Sequence, residues 1–241
     1  MTNVLNLIDE ELNRASAPRA SRKPVFLFLS EGYKALVRPL YNLDKMLALS
    51  KHSKWNDDPD YRVNAICAKE IGKSCGYCER AADDKKLRAS NFFYLPMYVY
   101  NVVDTHTGQH ITYKDPETQE EKPIAGIRLL ELSSFGRVSA ILKFFMSFYK
   151  DPDNGHDIRV ADFSIEQSGS GPKKDFIIMV KTPAPMSAKL QAIKLTPEQV
   201  KQRILEACPP LVGDDGAFGG AAGIESDAGE EDEDDDSAPA F

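Results

Sequence analysis

The chain has 241 residues, 42% of them hydrophobic, enough for one substantial core or two small ones, and no apolar run approaches the roughly 18 residues a membrane helix needs. No charged-then-apolar leader opens it, and three of its four cysteines cluster with a histidine, which favours an intracellular metal site over a secreted disulfide framework and leaves Cys208 as a buried or idle thiol. The net charge of −7 hides a division, because Pro209 to Phe241 holds eleven acids and no base while the body before it holds 30 bases against 26 acids.

Residues 3–13 place Val4, Leu5, Ile8 and Leu12 on one face of a short amphipathic helix or arm. Arg14 to Lys23 follows, with Arg14, Arg19, Arg22 and Lys23 and no acid, and reads as a flexible basic linker able to reach phosphate. Val25 to Leu29 and Tyr33 to Leu40, joined by Ser30-Glu31-Gly32, suggest a hairpin. Lys34 and Arg38 would then share a sheet face, as phosphate contacts or as solvated charges. Leu43 to Leu49 reads as helical and leads into His52.

His52, Cys67, Cys75 and Cys78 lie 15, 8 and 3 positions apart and end in the tight pair Cys75-Gly76-Tyr77-Cys78. Two thiolates separated by two residues, with a glycine in the turn, can point at one ion, and Zn²⁺ takes four nitrogen or sulfur ligands tetrahedrally. Four filled positions leave none for water, so one structural Zn²⁺ holding a subdomain at about residues 50–85 is expected rather than a catalytic metal. The plainer alternative is a core cysteine, a loop dithiol and an exposed histidine. Lys54 and Trp55 lie among further bases and aromatics around this segment.

Lys85, Lys86, Arg88 and Ser90 lead into the aromatic run from Phe92 to Val103. Strand alternation puts Phe93, Leu95, Met97, Val99 and Val103 on the core side and Tyr94, Tyr98 and Tyr100 on the other. Three tyrosines on one face suit the stacking of unpaired bases, or else cover a second packed layer.

Asp104 to Pro123 is a polar loop with a short strand at His110 to Lys114, and His106 and His110 are loop residues. Ile127 to Leu132 is a strand, and Ser133 or Ser134 can cap a helix from about Phe135 to Tyr149. Strands at Asp157 to Glu166 and Asp175 to Lys181 follow. Thr196 caps a last helix to Cys208 with Pro197 at its first position, and Pro209-Pro210 closes the body. The organisation is therefore an arm and basic linker (1–23), a body (24–208) and an acidic tail (209–241). The strand list suits a mainly β, α+β body, an OB-fold five-stranded barrel with an inserted zinc subdomain and short flanking helices.

These residues resemble the zinc-containing, helix-destabilising single-stranded DNA-binding proteins of T4-like bacteriophages. Phe26 to Leu29 with Glu31-Gly32-Tyr33-Lys34-Ala35-Leu36-Val37-Arg38 is similar to that family's first hairpin. His52, Cys67, Cys75 and Cys78 match its zinc ligands in order, and Lys86-Leu87-Arg88-Ala89-Ser90 is similar to its basic Ser/Thr motif, here interrupted by Leu87 and Ala89. Phe135-Gly136-Arg137, Asp162-Phe163 and Asp175-Phe176-Ile177-Ile178 follow in the same order. The terminal Asp234-Asp235-Asp236-Ser237-Ala238-Pro239-Ala240-Phe241 looks like the tails with which bacterial and other phage single-strand binders dock partner proteins.

The resemblance implies a non-enzymatic protein that coats single-stranded DNA during phage replication, recombination and repair in an infected bacterium. Lys34, Arg38, Lys54, Trp55, Lys86, Arg88, Tyr94, Tyr98 and Tyr100 would contact DNA, protomers would meet on the strand, and Asp234, Asp235, Asp236 and Phe241 would recruit replication and recombination proteins. Two other readings stand beside it. A zinc-stabilised HNH nuclease would use the CxxC with His106 and His110, yet neither its second cysteine pair nor its histidine after an acidic residue is visible. A zinc-ribbon interaction module would use the tail alone.

Overall fold

The structure, a computed structural model, describes residues 24–54, 63–115, 118–134, 136, 138–169, 175–181 and 184–210. Its centre is one long strand, Ser90–Asp104, whose Phe, Tyr and Val residues suit a pleated surface buried on both faces. In chain order the strands are β1 (Tyr33–Pro39), β2 (Leu47–Lys54), β3 (Val63–Ile66), the central β4, β5 (Thr112–Lys114), β6 (Glu121–Pro123), β7 (Gly126–Ser133), β8 (Phe163–Ser168) and β9 (Asp175–Val180). The helices are α1 (Gly76–Arg80), α2 (Ser139–Lys150), α3 (Ala188–Gln191) and α4 (Pro197–Ala207).

The protein is mainly β. Seven strands form one antiparallel sheet in the order β3-β2-β4-β1-β8-β9, with β7 on the other edge of β4, and β5 and β6 form a separate small hairpin. One edge of β4 is shared: Phe92, Phe93 and Tyr94 face β2, whereas Met97 to Asp104 face β1. Among the described residues no pairing of β7 with β9 closes the sheet.

Two cores follow from the two faces of β4. Leu95, Met97 and Val99 join Ala35 and Val37 of β1, Leu130 and Leu132 of β7, Phe163 and Ile165 of β8, and Ile141 and Phe145 of α2. On the opposite face Phe92 and Tyr94 meet Leu49, Leu129 and the buried stripe Val200, Ile204 and Cys208 at the end of α4. That helix forms as its sequence predicts. Thr196 and Gln199 make a reciprocal capping box, and Pro197 occupies the first turn, where its missing N–H costs nothing.

The alternation in β4 is broken once. Leu36 pairs with Asn101 and Val37 with Val99, which leaves Tyr100 without a partner on β1. This bulge moves the chain by one residue, so Val102 is buried and not the expected Val103.

Other expectations give way to tertiary pairing. Residues 25–29 do not form a hairpin with β1: Phe26 bridges Leu129 in parallel, while β1 pairs with β4 and β8. The segment from Leu43 is a 3-10 turn (Leu43–Lys45) followed by β2, not a helix, because the edge of β4 offers Leu47 to Lys51 a ladder. Helix α2 starts at Ser139 after Val138, with neither Ser133 nor Ser134 as its cap. The expected strand from Asp157 is a 3-10 turn (Ile158–Val160) before β8. The amphipathic segment 3–13, the basic linker and the acidic tail lie outside the described residues. Among the described residues no helix is long and apolar enough to cross a membrane.

Candidate metal centre and the adjoining strand

Strand β2 carries the metal subdomain. It pairs with β4 up to Lys51 and with β3 from Lys51 to Lys54, so His52 sits one residue beyond the last pair with β4. Cys67 follows β3 and starts a 3-10 turn (Ala68–Ile71), which Gly72 ends at φ +73°, a backbone that L side chains rarely adopt. Gly72 is therefore the residue at which this turn needs a glycine. Gly76, expected in the turn of the CxxC pair, instead begins α1, with Cys75 at its cap position and Cys78 within it.

The four donors converge. His52 Nε2 lies 3.2 Å from Cys75 Sγ and 3.7 Å from Cys78 Sγ, Cys67 Sγ lies 3.5 Å from Cys78 Sγ, and all four ligand atoms fall within 4.8 Å of one another. Metal–sulfur bonds of about 2.3 Å and a metal–nitrogen bond of about 2.0 Å would give tetrahedral edges of about 3.5–3.8 Å, so the cluster has the dimensions to hold one ion. His52, Cys67 and Cys75 are buried and Cys78 is half-buried.

The surroundings act unequally on the four donors. The Nδ1–H of His52 donates to the Leu87 carbonyl at 2.6 Å, which leaves the Nε2 lone pair facing the three sulfurs. Burial pushes the Cys67 thiol up to about 12. Burial also opposes the Cys75 thiolate, but the N–H dipoles of Cys78 and Ala68, with Cys67 and His52 beside it, outweigh that and bring it down to about 6. A cation would complete the deprotonation of all three.

Apart from the ligands, this subdomain has little core of its own. Val63, Ala68, Tyr77 and Leu87 surround the cysteines, and Tyr77 packs against the His52 ring at 5.3 Å. Polar ties fix it to the body: the Ser50 N–H donates to Glu70 Oε1 at 2.8 Å, the Cys67 N–H to the Ser50 carbonyl at 2.8 Å, and Lys201 Nζ of α4 to the Glu70 carbonyl at 2.6 Å.

The residues expected to contact DNA separate into three groups. Tyr98 is half-buried and Tyr100 is 38% exposed, with their rings edge-on at 5.3 Å and the Tyr100 hydroxyl donating to Asp162 Oδ1 at 3.2 Å. Lys86 and Arg88 are exposed, as is Lys85, in and beside the 3-10 turn (Lys85–Leu87) that leads into β4. Lys34 and Lys54 are half-buried in ion pairs, Lys34 with Glu166 at 3.2 Å and Lys54 with Asp84 at 2.7 Å.

Two residues are corrections. Tyr94 is fully buried in the core beneath α4 and offers no face to a base; the packed-layer reading holds at this position. Arg38, only 2% exposed, donates to Asp162 at 3.0 Å and to the Ala184 carbonyl, so it braces β1 rather than meeting a phosphate. Trp55, Asp234, Asp235, Asp236 and Phe241 lie outside the described residues.

The Leu87 carbonyl was not foreseeable, since a backbone group leaves no mark in residue type. No family model, curated protein or solved structure matches this chain.

Proposed function

We propose that this chain binds single-stranded DNA without sequence preference, on an OB-fold barrel of β1, β4, β7, β8 and β9 with an inserted subdomain held by one structural Zn²⁺. The observation that carries the reading is the accessible Tyr98–Tyr100 pair on the same strand that Lys85, Lys86 and Arg88 lead into. Exposed rings stack on bases of any identity, at about 1–3 kcal/mol per base, and exposed cations neutralise the backbone. From Arg88 to Tyr98 an extended strand spans about 33 Å, so the charged and aromatic elements would meet different stretches of one bound strand.

Five antiparallel strands with α2 following β7 give the strand inventory of a partly open Greek-key barrel. Three sulfurs and one imidazole nitrogen suit Zn²⁺ in a closed structural site. Such an ion would supply folding energy to a subdomain with a small core, and through His52 it would steady the basic turn at Leu87. The family resemblance extends the proposal to phage replication, recombination and repair, with the eleven acids of the tail competing for the cationic surface and Asp234, Asp235, Asp236 and Phe241 docking partner proteins.

The test compares retention of labelled oligo-dT, a mixed-sequence strand and a duplex of equal length at low salt. Similar binding of both single strands and weaker binding of the duplex supports the reading. Failure to retain either single strand overturns it, and magnesium-dependent cleavage would point to a nuclease instead.

A further inference from the structure

Strand β9 lies at one end of the sheet. It pairs with β8 on one side, and among the described residues no strand runs along its other side. Edge strands are commonly blunted by a charge or a proline in their middle, because open N–H and C=O groups invite another chain to pair. Here Phe176 to Val180 is apolar throughout, and the charges stand only at its two ends, Asp175 and Lys181.

The ladder fixes which way its backbone groups point. The Lys181 N–H donates to the Asp162 carbonyl at 2.8 Å, so in this register Asp175, Ile177, Met179 and Lys181 turn their N–H and C=O groups toward β8 and the residue before it. Phe176, Ile178 and Val180 alternate with them and turn theirs outward. The Phe176 N–H is held by the carboxylate of Asp175 at 2.8 Å, whereas Ile178 and Val180 have no backbone partner on that side among the described residues. Side chains alternate as well. Phe176 and Ile178 pack against the core that contains Ile141 and Phe145 of α2, while Asp175, Ile177, Met179 and Lys181 share the exposed face. Ile177 is 46% exposed and Met179 41%, and neither Asp175 nor Lys181 enters an ion pair among the described residues.

We infer that β9 pairs antiparallel with β9 of a second copy of this chain, about a two-fold axis at Ile178. With Ile178 opposite itself, Phe176 faces Val180 of the second copy, Ile177 faces Met179 and Asp175 faces Lys181, and each relation recurs across the axis. Two independent features select this register. The residues it joins in hydrogen-bonded pairs are Phe176, Ile178 and Val180, whose N–H and C=O groups point outward, and on the exposed face opposite charges meet at both ends of an apolar strip. Asp175 releases the Phe176 N–H to the new ladder and gains the Lys181 ammonium in its place. A shift of one residue would oppose outward groups to inward ones, and a shift of two would take Lys181 away from Asp175. The pair is closed and forms without nucleic acid, unlike a row of protomers along a strand, so the inference stands apart from the single-strand reading.

The full chain, free of nucleic acid, and the variants V180P, D175K, K181D and D175K/K181D are compared by sedimentation equilibrium over a wide range of concentration at low salt, each fold being checked by its melting curve. The parent is expected to pass reversibly from the monomer mass to twice that mass and no further. V180P removes an outward N–H that β8 does not use and should remain monomeric. D175K and K181D each set like charges opposite one another at both ends of the strip and should weaken the dimer by about tenfold, while D175K/K181D restores opposite charges and should return to near the parent. The charge variants alter exposed positions, so they decide the matter if V180P does not fold. A parent that stays monomeric at the highest concentration overturns the inference, as does a dimer indifferent to V180P or a double variant no tighter than the two single ones. Protection of residues 176–180 from amide exchange in a parent that never dimerises would give this edge to another occupant and overturns it too.

Discussion

The Nδ1–H of His52 reaches across 35 residues of sequence to donate to the Leu87 carbonyl at 2.6 Å. That bond ties a candidate metal ligand on β2 to the turn that bears Lys85 and Lys86, so the cluster and the basic surface are mechanically continuous.

Replacing Cys75 or Cys78 with serine, or chelating the metal, is expected to lower Tm by on the order of 10 °C, from the loss of about 3–4 kcal/mol. Hydrogen exchange should rise at residues 85–90 well before it rises in β1 and β8. A metal-depleted protein that melts no earlier, with unchanged exchange at Leu87, would remove the structural role assigned to the ion.

The three tyrosines of β4 should behave differently. Tyr98→Ala and Tyr100→Ala are expected to weaken oligo-dT binding by about 1–3 kcal/mol each with little change in Tm, because their rings are accessible. Tyr94→Ala should instead destabilise the fold by about 3–5 kcal/mol. The Tyr94 hydroxyl stands across from Glu131 without a hydrogen bond, so Tyr94→Phe should keep both stability and binding. Denaturant melts and titrations of the four variants separate these outcomes, and a loss of binding in folded Tyr94→Phe would contradict the burial argument.

Much of this was legible in the sequence, and the failures share a cause. Metal-ligand spacing is a local signal, and so is Thr196-Pro197 with Gln199, hence the cluster and α4 were both foreseeable. Tyr94 was not, because what covers it is Val200 and Ile204, a hundred residues later in the chain. Arg38 looked like a surface base until Asp162 and Ala184 arrived from distant segments. Val102 and Val103 exchanged places through one bulge, which period-two counting cannot see.

Lys51, nearly buried, donates to both oxygens of Glu131 at 2.8 Å and lies 4.8 Å from the centre of the Phe92 ring. Glu131→Gln leaves a buried ammonium without its counter-charge and should cost about 3–5 kcal/mol. Lys51→Met with Glu131→Leu should recover most of that loss. Urea denaturation of the single and double variants checks this, and a double variant no better than the single one would mean that the pair supplies more than charge balance.

Asp157 accepts from Arg159 Nε at 2.9 Å and Nη2 at 2.8 Å. Burial raises its pKa, but the Arg159 bonds and charge outweigh burial and hold the carboxyl below its ordinary value of 3.8. A depressed folded-state pKa stabilises the protein above 3.8, and that contribution disappears as pH falls through the folded value. Asp157→Asn should therefore melt below the parent at neutral pH, with the gap closing in acid. A gap that stays constant below pH 3.8 would contradict the ion-pair account.

The central claim, that unpaired bases rest on the accessible rings of β4, is tested most directly by photo-crosslinking oligo-dT carrying iodouracil to the intact protein and sequencing the attached peptides. Adducts at Tyr98 or Tyr100, lost when unlabelled single strand competes and kept when duplex does, are the predicted result. Efficient adducts confined to other parts of the chain, or none at saturating strand, would contradict it.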